Sequence, residues 1–163
     1  MTSTSEQAKE QAIKNFKSGM NCAQAVSTVF AERFGIKKEM LQMISQPFGG
    51  GMCRMREVCG CVSGMLLALG LYKGSDEDSK EKKDEIYEIG QKLAKEFEDI
   101  NGSIICAELL GTKKGSPVSE ARTKEYYKKR PCAELCGIAA EIFQKYLDSA
   151  DDSRIKCGND KRK

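Results

Sequence analysis

Histidine and tryptophan are absent from this 163-residue chain. The first absence removes the commonest general base and the commonest transition-metal ligand together, so any metal must be held mainly by sulfur. No apolar stretch is long enough to span a bilayer, the longest being Val62 to Tyr72, so membrane insertion is not expected. No charged n-region followed by an apolar h-region opens the chain, which points to the cytoplasm and takes away the oxidising compartment that disulfide staples need. Charge of one sign is also lacking: 27 Lys and Arg face 24 Asp and Glu, a net charge of +3. The basic clusters at Lys128-Lys129-Arg130 and Lys161-Arg162-Lys163 are not interleaved with aromatic residues, which argues against nucleic acid. The two-residue alternation of a half-buried strand is missing as well.

Cysteine, in contrast, is plentiful, with eight in the chain. In a reducing compartment that number favours metal binding or redox chemistry. Three times a cysteine is followed by Ala and then Glu or Gln, at Cys22-Ala23-Gln24, Cys106-Ala107-Glu108 and Cys132-Ala133-Glu134. Each triplet stands just before an apolar run, which predicts a thiol in the first turn of a helix. Free N–H groups place roughly half a positive charge there, favouring thiolate.

Hydrophobic spacing is helical almost throughout, giving an all-α expectation: a helical bundle of about five to seven helices with cysteines at helix N-termini. Ala8, Ala12, Ile13 and Phe16 mark a first helix that Ser18-Gly19 ends, and Asn21 caps a second that runs to Phe34. A short helix is expected over 37–44, and Pro47-Phe48-Gly49-Gly50-Gly51 then breaks regular structure. A central helix over 57–72 carries Gly60 and Gly64; glycine costs about 1 kcal/mol against alanine there, so close neighbours or a ligand are implied. A long amphipathic helix over 75–99, shorter ones over 104–110 and 119–128, and a final helix from Pro131 to Leu147 complete the expectation. Residues 1–147 are expected to form a single helical redox or metal-binding domain, and 148–163 a disordered polar tail. The methionines Met40, Met43, Met52 and Met55 read as core or loop packing, and Arg54 and Arg56 as solvated side chains that are able to balance a cluster's charge.

Cys22, Cys106 and Cys132 thus fall in first turns and Cys59 near the start of the central helix, just after the glycine loop. Four helix ends at one level of a bundle can converge on one point. Four thiolates there suit an iron–sulfur cluster, of 2Fe–2S or 4Fe–4S type, with the backbone amides of Gly49, Gly50 and Gly51, and Gly60 beside Cys59, as its surroundings. Cys53, Cys61 and Cys136 are secondary ligand candidates, and each is also a plausible ordinary core residue. Cys59 and Cys61 would point about 200° apart on an ideal helix, so they share a site only if the helix starts late or is distorted. Cys157 is the least suited of the eight. Gly49 to Gly51 lacks the following Gly-Lys-Ser/Thr of a phosphate-binding loop.

Asn21-Cys22-Ala23, Gly49-Gly50-Gly51, Cys59-Gly60-Cys61-Val62-Ser63-Gly64, Cys106 and Cys132 together resemble the redox-active protein family named for the motif C_GCAxxG_C_C. The resemblance spans nearly everything between Gly19 and Leu147. It implies a small helical protein with an iron–sulfur type group, from bacteria and archaea with anaerobic metabolism, encoded near oxidoreductases or transporters. Where the motif has Ala after Cys-Gly, this chain has Cys61.

Three functions follow. The first is a cluster-binding electron-transfer protein working with a redox partner protein. The second is a metal-free thiol–disulfide protein, against which count the missing Cys-x-x-Cys pair and strands. The third is a zinc-stabilised helical module, against which counts the scatter of the four main cysteines. A homodimer is compatible with a bundle of this length, and no enzymatic reaction is assigned.

Overall fold

The computed structural model describes residues 3–160 apart from residue 114, with side chains as far as Asp151. Among the described residues the chain is all-α, with eight α-helices and no strand, slightly more helices than expected. They are α1 (Thr4–Lys17), α2 (Cys22–Ser27), α3 (Lys38–Ser45), α4 (Gly60–Lys73), α5 (Lys80–Asn101), α6 (Cys106–Leu110), α7 (Lys124–Lys129) and α8 (Cys132–Asp160).

Local sequence explains most of the boundaries. Ser3 and Asn21 each form a full capping box, with Glu6 and Gln24 as reciprocal partners. Ser79 and Thr123 cap α5 and α7 through their hydroxyls. Gly102 and Gly111 close α5 and α6 in the left-handed conformation that glycine tolerates.

Several boundaries differ from the sequence expectation. The second helix stops at Ser27, with a 3-10 turn over Thr28–Phe30 instead of a helical run to Phe34. Helices α5 and α7 begin at Lys80 and Lys124 instead of 75 and 119, and the start of α4 and the end of α8 also differ. The central helix begins at Gly60, because residues 57–59 are extended and pair with 104–106: the Cys59 amide donates to the Ile104 carbonyl at 2.7 Å, and the Cys106 amide to the Glu57 carbonyl at 2.7 Å. At the other end, α8 continues past Leu147 to Asp160. No proline or glycine intervenes before Gly158, and the extension is anchored where Asp148 accepts from the Thr4 hydroxyl and Asp151 pairs with Arg33. Cys157 lies outside the described side chains.

Helix α1 packs along α8, and α2 packs on α4. Gly64 permits the second contact, since a Cβ there would stand 2.8 Å from the Ala23 carbonyl oxygen. Phe16, Phe30, Met65, Leu69, Phe97, Phe143 and Leu147 fill the shared core, with the Phe30 and Phe143 rings edge-to-face at 4.8 Å. The segment leading into α7 is fastened to α1 by Arg122. Its guanidinium lies 4.4 Å from the Phe16 ring centroid and donates to the carbonyls of Phe16 and Met20. Met40, Met43, Met52 and Met55 are exposed and do not pack into the core.

Candidate metal centre

Helix starts place the principal cysteines along one cavity. Cys22, Cys106 and Cys132 are the first residues of α2, α6 and α8, and Cys59 is the residue that caps α4. All four line one cavity of about 440 Å³, together with Gly49, Gly50, Gly51, Gly60 and Cys53. Cys53 is exposed, whereas Cys59, Cys106 and Cys132 are buried and Cys22 is half-buried.

Cys61 and Cys136 do not line that cavity. They lie behind it, both fully buried, with the Cys61 thiol 3.5 Å from Cys136 Sγ. With Cys22 they form a group whose three sulfurs lie within 4.8 Å of one another, a cluster capable of binding a metal. The problem of Cys59 and Cys61 pointing apart is resolved by the late start of α4. Cys59 stays outside the helix and meets the cavity, while Cys61 turns toward α8. Two sulfur sets therefore share one member, Cys22.

The cavity lining is also basic. Arg54, Arg56, Arg122 and Arg130 line the cavity, and the one lining carboxylate among the described residues, Glu120, is engaged by Arg54 at 3.5 Å and by Arg130. Arg56 corrects the expectation of a solvated side chain: it is 7% exposed. Its Nη1 lies 3.6 Å from Cys106 Sγ, and its buried Nε has no hydrogen-bond partner. A buried guanidinium on the wall of a cysteine-lined cavity favours negative charge there.

The loop that presents this arginine has an unusual backbone. Gly50, Gly51, Met52, Cys53 and Arg54 are consecutive residues with positive φ, and Arg56 repeats it. The left-handed run is held by amides reaching back to the carbonyls of Pro47, Gly49, Gly50 and Gly51. Each non-glycine residue so placed costs about 1–2 kcal/mol, strain of the kind that persists at functional sites. Sequence reasoning missed it, because only the two glycines advertise positive φ.

Thiol electrostatics depart from the simple helix-end expectation. Hydrogen bonding with Cys132, Cys136 and Cys61 holds Cys22 well below the ordinary thiol range. Cys132 is pushed up by its hydrogen bond to Cys22 and by burial. Burial raises Cys61 and Cys136 well above the ordinary value, and also raises Cys106 against the opposing pull of Arg56. Neighbouring sulfur and desolvation therefore outweigh the helix ends, two of which belong to helices of only six and five residues.

A pH dependence follows for the metal-free chain. Above about pH 8.5 the unfolded chain ionises thiols that the folded chain keeps protonated, so the unfolded state binds fewer protons and stability falls as pH rises. Cys22 acts oppositely, with stability present above its unfolded value and lost on acidification, but it is one thiol against several raised ones. The urea midpoint is expected to drop between about pH 8 and pH 10. A midpoint that holds or rises over that interval would contradict the burial of these thiols.

Among the described residues, no helix is long and apolar enough to cross a membrane. A family model described as "Putative redox-active protein (C_GCAxxG_C_C)" matches residues 20–146. No curated protein and no solved structure matches the chain.

Proposed function

Because the chain belongs to the C_GCAxxG_C_C family of redox-active proteins, we propose that its cavity holds an iron–sulfur cluster on Cys22, Cys59, Cys106 and Cys132 and that the protein exchanges electrons with a partner protein. One observation carries this reading: four sulfurs from four separate chain segments line a single basic cavity. The donor set is sulfur without imidazole, which suits iron–sulfur ligation. The volume supports a group larger than one ion, since a water molecule's share of space is only roughly 30 Å³ and the cavity measures 440 Å³.

When bound, such a cluster supplies one-electron chemistry. The chain's own residues would set its conditions. Arg56, close to Cys106, would offset ligand charge and favour the more reduced, more negative state. The left-handed loop holds Arg54 and Arg56 in place. The thiol-keeping cytoplasm is the compartment in which such a sulfur set stays available for metal.

The triad favours a second reading. Thiolates arranged tetrahedrally around zinc at about 2.3 Å stand roughly 3.8 Å apart, close to the 3.5 Å between Cys61 and Cys136 and compatible with a single ion beside Cys22. Anaerobic purification separates the readings. Iron with acid-labile sulfide and broad visible absorption is the expected result, whereas colourless protein with one zinc per chain would replace the cluster with a mononuclear site. Metal-free protein with titratable thiols would leave only thiol–disulfide chemistry.

A further inference from the structure

Cys61 and Cys136 fall outside the cavity to which the cluster is assigned, yet they come from different helices, α4 and α8, 75 residues apart in sequence, and meet sulfur to sulfur. Both are fully buried, so neither is an accidental surface neighbour of the other. Their surroundings are the apolar core, with no Lys, Arg, Asp or Glu side chain hydrogen-bonded to either sulfur among the described residues. At 3.5 Å, an approach of about 1.5 Å would bring the two sulfurs to the S–S bond length of about 2.05 Å.

We propose that Cys61 and Cys136 form a second redox element, a buried dithiol that closes reversibly to a disulfide and reaches the cavity through Cys22. Closure breaks two S–H bonds, makes one S–S bond and releases two protons and two electrons. The oxidant is of the small-molecule disulfide class, R–S–S–R, which takes up both protons and both electrons and leaves as two R–SH.

Burial would prevent direct attack by the pair, and Cys22 supplies the route. Cys22 is half-buried and lines the cavity, and its sulfur stands within 4.8 Å of both partners. Cys22 attacks the incoming disulfide and expels the first R–S⁻. Cys136 then attacks Cys22 Sγ, expelling the second. Cys61 finally attacks Cys136 Sγ and returns Cys22 as a free thiol. The protons of Cys61 and Cys136 leave on the two R–S⁻ groups, which balances the exchange.

A metal on Cys22 would block the first step, so this chemistry belongs to the metal-free chain and does not depend on which metal the loaded protein carries. The test therefore fails or succeeds separately from the iron and sulfide analysis. The full chain, stripped of metal by a chelator under anaerobic reducing conditions, is incubated with oxidised glutathione, acid-quenched at intervals, alkylated and mapped by mass spectrometry. The expected product loses two of its eight thiols and about 2 Da, and links residue 61 to residue 136.

Cys61→Ala and Cys136→Ala should each abolish that linked species, with helix content checked by circular dichroism. Cys22→Ala should slow the formation of that species on the order of 10-fold or more. Linkage of Cys22 to Cys132 as the stable end product would overturn the proposal, as would residues 61 and 136 both remaining alkylatable. Unchanged kinetics in Cys22→Ala would overturn the route through the cavity.

Discussion

Cys22→Ser is expected to reduce the metal content of anaerobically purified protein on the order of 10-fold or more, the largest loss of any single cysteine substitution. Cys22 is the one sulfur that belongs both to the cavity-lining four and to the buried triad. A serine hydroxyl fills nearly the same space but is a harder, more weakly ligating group that stays protonated where a thiol ionises. Cys53→Ser is the control: Cys53 also borders the cavity but is exposed, on a left-handed loop residue. Retention of full metal content in Cys22→Ser would remove both sulfur sets from consideration in one measurement. Where content falls, Cys59→Ser and Cys61→Ala tell the two apart. Loss in the first alone assigns the metal to the cavity, and loss in the second alone assigns it to the triad.

The fold and the cysteine placement were readable in the sequence for a common reason. Helix starts are local: Asn21 with Gln24, Pro131 before Cys132, and the apolar runs that follow are written within a few residues, and the structure puts all four principal cysteines at such starts. The pairing of Cys61 with Cys136 is not local. It depends on the residue at which α4 begins, and that is fixed by hydrogen bonds from residues 57–59 to a segment almost fifty positions away. Moving the helix start to Gly60 turned Cys61 inward and left Cys59 at the cavity, which no periodicity reveals.

Arg56 is a second case. Alone in the sequence it is a charged residue beside methionines, and exposure is the ordinary expectation. Its burial follows from the left-handed run before it, which swings the chain back so that the Arg56 amide donates to the Gly50 carbonyl and its side chain reaches Cys106. Met52, Cys53 and Arg54 adopt positive φ without any residue preference that would announce it. Tertiary hydrogen bonds override local propensity here, and the segment where sequence reasoning failed is also part of the cavity wall.

That same run makes Gly51 the most constrained of the loop glycines. Its φ of +73° lies where side chains are rarely found, and a Cβ on it would stand 2.6 Å from the Cys106 Cβ, 2.8 Å from the Glu57 nitrogen and 2.9 Å from the Arg56 Cα. Two of those three neighbours are backbone, and the third is the first side-chain carbon of a candidate ligand, so none is a flexible tip that can swing aside. Gly51→Ala therefore combines left-handed strain with overpacking, each worth about 1–3 kcal/mol. A total near 3 kcal/mol corresponds to a fall in melting temperature of roughly 6–12 °C for a chain of this size. The loss is expected to exceed that of Gly70→Ala, where a Cβ would meet no atom within 4 Å and the helical backbone accepts alanine readily. Because relief of the clash pushes Cys106 and Arg56 outward, metal content should fall along with stability even at temperatures where the variant remains folded. A Gly51→Ala protein that melts like the parent and keeps its metal would show that the loop does not pack against Cys106 in solution, and the basic wall assigned to the cavity would lose its anchor.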